Sequence, residues 1–283
     1  MPNGSPPSSR PYLSRDPALV EARGTLRDAL GSVQNLDQLL KSLRVGPKAL
    51  SAVLPDVHES CTPARKALSR LLQATANRFD DSAPVQALAQ FVEPCFDNLQ
   101  LAIGRASDKP MNARHRLELE RTVGDAWPKL DAARALLDLL EESLSAPLIR
   151  LKLSELLSEI SFKSERRDDD SSVLAILEGT PGEAELMVQP QVAMSVFCLG
   201  INLNARDNGR CGIALSVSPD RSCTVRFKPN AEKGEELRVA KLELIPPTTS
   251  CVDLAASRMG CKVERESNTT SFSVHWPASN APA

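Results

Sequence analysis

The sequence predicts an α+β fold, an N-terminal antiparallel helical bundle followed by an α/β sandwich, on three observations. Apolar residues recur at helical spacing through the first half, and strand-like alternation begins only after Pro147. The 283 residues are also enough for two ordinary domains. The predicted division is a disordered tail at 1–15, a helical bundle or dimerisation domain at 16–146, a linker at 147–171, an α/β domain at 172–277 and a second tail at 278–283.

Taking the elements in order, Leu19, Leu26, Val33 and Leu40 recur at sevens, with Leu30, Leu36 and Leu43 in the adjoining positions. One apolar stripe therefore runs along a helix from Asp16 to Val45. Asp16 suits the cap and Pro17 the first turn. The stripe has two readings: packing inside its own bundle, or gripping a partner as in an adaptor or chaperone. Further helices are expected at 55–79, 84–106 and 112–144, separated by Asp80-Asp81-Ser82 and by Ser107-Asp108-Lys109-Pro110. In the last of these Leu117, Val123, Leu130, Ala133, Leu137, Leu140 and Leu144 mark the expected buried face, and Trp127-Pro128 is expected to kink it.

After Pro147, short strands are expected at 172–177, 184–188, 211–217 and 223–227, the last two joined by Ser218-Pro219-Asp220-Arg221. Helices fall at 191–206 and 249–259, the second ended by Gly260. A hairpin of 262–266 and 271–276 turns at Asn268. The Asp168-Asp169-Asp170 run reads as a solvated loop. A sheet covered by helices is the simplest burial of these faces.

Composition narrows the function. The chain carries 34 basic and 36 acidic residues, split 19 to 18 over residues 1–150 and 15 to 18 over 151–283, so neither half attracts nucleic acid by charge. With 42% hydrophobic and 25% charged residues it fits a folded chain, and no apolar stretch has membrane-spanning length. Met1 to Arg10 lacks the apolar segment of a secretory signal, so a cytoplasmic location is expected. Cys61, Cys95, Cys198, Cys211, Cys223, Cys251 and Cys261 are odd in number, without a C-x-x-C pair or histidines at zinc spacing. They are expected to be reduced, mostly buried, and to hold no metal. No P-loop, nucleophile elbow or H-E-x-x-H occurs.

Several segments together resemble one family. Leu151 to Leu157 follows the bundle, Gln191 to Asn208 ends its helix in Asn204-Ala205, and Val252 to Pro277 gives a helix, a glycine turn and a closing hairpin. In this order, over roughly residues 112–277, they resemble the dimerisation and ATP-binding core of bacterial sensor histidine kinases. The resemblance implies a histidine-kinase-like ATP-binding sandwich. It places Asn204 on the family's magnesium-binding asparagine, a hard oxygen ligand. One helical turn earlier, where the family has Asn or Glu, this chain has Gly200. The adenine-binding Asp-x-Gly-x-Gly turn is replaced by Arg226 to Gly234, which lacks that Asp and those glycines. The glycine-rich lid gives way to Ile245-Pro246-Pro247-Thr248-Thr249-Ser250, whose prolines donate no N–H. Asn204 is therefore read as vestigial, with no nucleotide cofactor.

Three histidines are available. His58 opens His58-Glu59-Ser60-Cys61-Thr62-Pro63, similar to the family's phosphoacceptor sequence, in which an exposed imidazole receives phosphate beside a carboxylate. Pro55 places a helix start three residues before it. His115, among Arg114, Arg116 and Arg121, reads as a solvated helix face, and His275 as a half-buried strand residue. The expected function is a non-catalytic histidine-kinase-like protein, a pseudokinase of bacterial signalling, acting through protein contacts as a homodimer formed by the bundle. One alternative is a histidine phosphotransferase relaying phosphate through His58, with Glu59, to or from a receiver domain. The other is the adaptor that uses the first helix.

Overall fold

A computed structural model describes residues 17–42, 47–75, 82–107, 112–164, 172–179, 184–205, 209–219, 222–229, 231, 233–267 and 270–277. The expected tails and most of the Asp168 loop lie outside the described residues, as does Asn268. The fold is α+β: four long helices, then a mixed sheet with shorter helices.

The four helices are α1 (Pro17–Lys41), α2 (Pro47–Thr75), α3 (Ser82–Ser107) and α4 (Ala113–Ser145). Each packs on its sequence neighbours and α1 closes the ring onto α4, an antiparallel four-helix bundle within one chain. The α1 heptad residues Leu19, Leu26, Val33 and Leu40 are buried, with Leu30 and Leu36, against α2 and α4. That stripe is interior, so it offers nothing to an adaptor's client, and Leu43 lies outside the described residues. The apolar stripes of the four helices thus meet one another inside this one bundle.

Three expectations in this region are corrected. Helix α2 begins at Pro47, not at Pro55, and carries Pro55 and Pro63 inside it. The apolar series through Leu50 and Leu54, both buried, carries the helix past the missing N–H of Pro55. Leu117 is 67% exposed, and Leu119 takes its place in the core. The 147–171 linker contains structure: β1 (Ile149–Lys152) and α5 (Leu153–Ser164), whose Leu153, Leu156, Leu157 and Ile160 are buried.

The remaining elements are β2 (Ser172–Glu178), β3 (Glu185–Val188), α6 (Pro190–Asn204), β4 (Arg210–Val217), β5 (Cys223–Lys228), β6 (Glu235–Ala240), α7 (Thr248–Arg258), β7 (Lys262–Arg265) and β8 (Phe272–Trp276). Strand β1 pairs antiparallel with β3. The other six form one sheet in the order β6-β2-β4-β5-β8-β7, in which only β2 and β4 run parallel. Strand β6 has no sequence-level forecast, its Glu-Glu-Leu-Arg-Val-Ala giving only two buried residues, Leu237 and Val239. Gly234 admits β6 to its place: a Cβ there would lie 2.0 Å from the Leu177 carbonyl oxygen.

Alternate residues of β5 and β8, namely Cys223, Val225, Phe227, Phe272, Val274 and Trp276, face the helices and are buried. Phe197 of α6 stacks on Trp276 at 5.5 Å and meets Phe227 edge-on at 5.6 Å, while Phe227 stacks on Phe272 at 4.9 Å. Few aromatics are present, and four of them fill this one layer. The sheet joins the bundle where α4 ends. The Arg258 guanidinium donates to the Leu140 carbonyl and the Ser143 hydroxyl, each at 2.9 Å, and Gln189 Nε2 donates to the carbonyls of Ser143 and Ala146. Side chains of the sheet domain thus bond carbonyls in and just beyond the last turns of α4.

Candidate functional site

The positions the resemblance assigns to magnesium and ATP sit on the α6 face turned to the sheet. Asn204 is 3% exposed. Its Nδ2 donates to the Gly200 carbonyl at 3.0 Å and its Oδ1 accepts from Thr270 Oγ1 at 3.2 Å. The oxygen that would hold a cation thus already accepts one bond from a hydroxyl inside the fold. Gly200 is closed in the same direction. A Cβ placed on it would lie 3.0 Å from ring carbons of both Phe227 and Phe272, so the amide or carboxylate a metal pair requires would press on both rings.

The neighbouring Asn202, which sequence reasoning passed over, is the working asparagine of this helix. Its Nδ2 donates to the Cys198 and Ala240 carbonyls, and its Oδ1 accepts the Leu242 N–H at 2.8 Å. That clip fixes α6 to the end of β6, a role set by a contact 40 residues away in sequence that no local pattern announces. The segment standing in for the lid is short and ordered. Ile245 is buried, its N–H is accepted by Thr248 Oγ1 and its carbonyl accepts the Thr248 N–H. No group of three His, Cys, Asp or Glu residues able to hold a metal ion occurs among the described residues.

His58 lies elsewhere, in the interior of α2 and exposed, with exposed Glu59 beside it. Successive residues of a helix diverge by about 100°, and no hydrogen bond joins Glu59 to the ring. Thr62, one turn on, donates from Oγ1 to the His58 carbonyl at 3.0 Å, the usual back-bond of a helical threonine to the preceding turn. Gln100 of α3 donates to Thr62 at 3.3 Å and accepts from Arg65, whose guanidinium also pairs with Asp97 at 2.9 Å. With Lys66, Ser69 and Arg70 these residues line a shallow groove between α2 and α3. The rim around His58 is therefore polar and cationic. Val57, Cys61, Ala64 and Leu68 on the neighbouring positions of α2 are all buried in the bundle, so none of them gives an apolar footing beside the ring.

His115 stands in the first turn of α4, where its N–H bonds the Asn112 cap at 2.9 Å, and adjacent Arg116 reaches the Leu40 carbonyl at the end of α1. His275 is half-buried on β8, as its strand position implies. The seven cysteines are all free, and six are buried. Burial pushes the thiols of Cys61, Cys211, Cys251 and Cys261 up to about 12. No helix among the described residues is long and apolar enough to cross a membrane.

No protein-family model matches the chain, and no curated protein matches it. Among solved structures the chain is similar to the Acinetobacter baumannii histidine kinase AdeS, with a TM-score of 0.42 and 12% identity over 70% of this chain and 96% of that one. At that depth the likeness places no residue.

Proposed function

We propose that this is a non-catalytic, histidine-kinase-like regulatory protein that acts through protein contacts and does not bind ATP. The observation that carries the reading is the closure of position 200 by Phe227 and Phe272, together with the commitment of both Asn204 polar atoms. A site of that kind has lost the metal, and without the metal the triphosphate charge has no counter-ion. Titration calorimetry with Mg-ATP tests it. The expected result is no affinity tighter than about millimolar, roughly 4 kcal/mol of binding. A micromolar constant overturns it.

A second reading has its own support. An exposed histidine in the middle of α2, within the His58-to-Pro63 phosphoacceptor-like sequence, is what a phosphotransferase requires, and such a protein has no use for ATP. The partner would be a receiver domain and the accepting atom an imidazole nitrogen. Incubation with a phosphorylated receiver, followed by assay of acid-labile, base-stable phosphate, separates the two readings. Label that disappears in His58→Gln establishes the phosphotransferase, whereas absence of label from the wild type rejects it.

A further inference from the structure

The sheet face turned away from α6 and α7 carries a constellation independent of the sites above. Thr224 on β5 and His275 on β8 are direct cross-strand partners, and His275 is in turn paired with Lys262 on β7. Thr224 Oγ1 lies 2.9 Å from His275 Nδ1, and His275 Nε2 lies 3.3 Å from Glu264 Oε2. Nε2 is buried without a hydrogen bond, so it is the nearby carboxylate's charge that favours the proton on Nε2, leaving the Nδ1 lone pair toward the hydroxyl. Hydroxyl, imidazole and carboxylate thus stand in the sequence that activates an oxygen nucleophile for acyl transfer. All three come from strands of one sheet, so their spacing is held by the ladder and not by a loop.

We propose that Thr224 is an acyl-acceptor site, its hydroxyl attacking an activated acyl ester or thioester while His275 takes the proton and Glu264 orients the ring. The bond formed is Thr224 Oγ to the acyl carbon, and the bond broken joins that carbon to the leaving alcohol or thiol. The proton passes from the hydroxyl to His275 Nδ1 and on to the leaving group, so the step needs no redox partner. The groups lie on an open sheet face, which suits a modification borne by the chain better than a pocket for free substrate. Cationic Lys262 and Arg226, the latter paired with Glu266, are the other charged groups facing the imidazole from β7 and β5. Glu264 pairs with both Lys262 and His275, which hold its carboxyl below the usual range, so it stays ionised across the working pH.

The full chain is incubated with p-nitrophenyl acetate, and the adduct is located by intact mass and peptide mapping. The expected result is a single acetyl group on Thr224, formed at a rate that rises with pH as a general base requires. Thr224→Val is expected to abolish the label and Thr224→Ser to keep it, while His275→Gln slows it about 100-fold. Glu264→Gln is expected to move the midpoint of the rate profile to lower pH, since removing the carboxylate makes the imidazolium easier to deprotonate. A purely structural carboxylate would leave that midpoint in place. Wild-type protein unlabelled at Thr224, or labelled equally fast as His275→Gln, overturns the proposal. Should His275→Gln fail to fold, the Thr224 pair and the Glu264 profile decide on the same terms.

Discussion

At the scale of single residues, Gly200 is the position most tightly enclosed on the sheet side of α6. Restoring the residue type the resemblance calls for, Gly200→Asn, forces an amide into the space of Phe227 and Phe272, whose nearest carbons lie 3.0 Å from where its Cβ would be. Overpacking of this kind costs about 1–3 kcal/mol, and the gain in helix propensity over glycine offsets at most about 0.5 kcal/mol of it. Urea unfolding of Gly200→Asn is expected to show a loss near 2 kcal/mol with no gain of Mg-ATP binding. The buried thiols make a second residue-scale prediction. Cys61, Cys211, Cys251 and Cys261 rise from 9.0 to about 12 through desolvation, so the folded chain holds their protons after the unfolded chain has released them. Stability from this source is complete below about pH 9 and falls as pH climbs toward 12, by about 1.4 kcal/mol per pH unit for each thiol. The urea midpoint should therefore hold steady from about pH 7 to 8 and drop steeply near pH 10. In Cys61→Ala the drop should be shallower.

At the scale of elements, the junction between bundle and sheet is made by side chains capping a helix. Arg258 and Gln189 reach the carbonyls of Leu140, Ser143 and Ala146, the last turn of α4. Truncating Gln189 leaves the Ser143 carbonyl, which faces Pro147 one turn on, without a donor at about 1–3 kcal/mol, and truncating Arg258 removes the charge-assisted bonds to Leu140 and Ser143. Hydrogen exchange on Arg258→Ala is expected to show faster exchange through the end of α4 and through α7, with α2 unchanged. Equal protection in variant and wild type would show that apolar packing alone holds the joint. Helix α2 illustrates why its N-terminus was misplaced: a proline is permitted at a first turn, so Pro55 looked like a beginning, and only the burial of Leu50 and Leu54 against the other helices shows the helix already under way.

At the scale of the whole molecule, one chain closes its own four-helix bundle. Six large apolar residues among the described residues stay in solvent, Leu117 and Leu101 the most, and a few exposed apolar side chains are ordinary on a monomer. Light scattering on the full chain is expected to give the mass of a single chain, and a stable dimer would show that another surface binds a second copy.

The sequence by itself determined the helical half, the strand half and their order, because burial periodicities of 3.6 and 2 are local properties of the chain. It also singled out positions 200 and 204, both of which the fold packs against the sheet side of α6. Three things were decided only by tertiary structure. The α1 stripe was compatible with a partner or with its own bundle, and both give the same spacing; the packing of α2 and α4 against it settled which. Strand β6 and the β1–β3 pair depend on hydrogen bonds to distant segments, which leave little apolar signature in so few residues. Thr224, His275 and Glu264 are spread over 52 positions of sequence, and a sheet register was needed to bring three side chains from three strands within bonding distance.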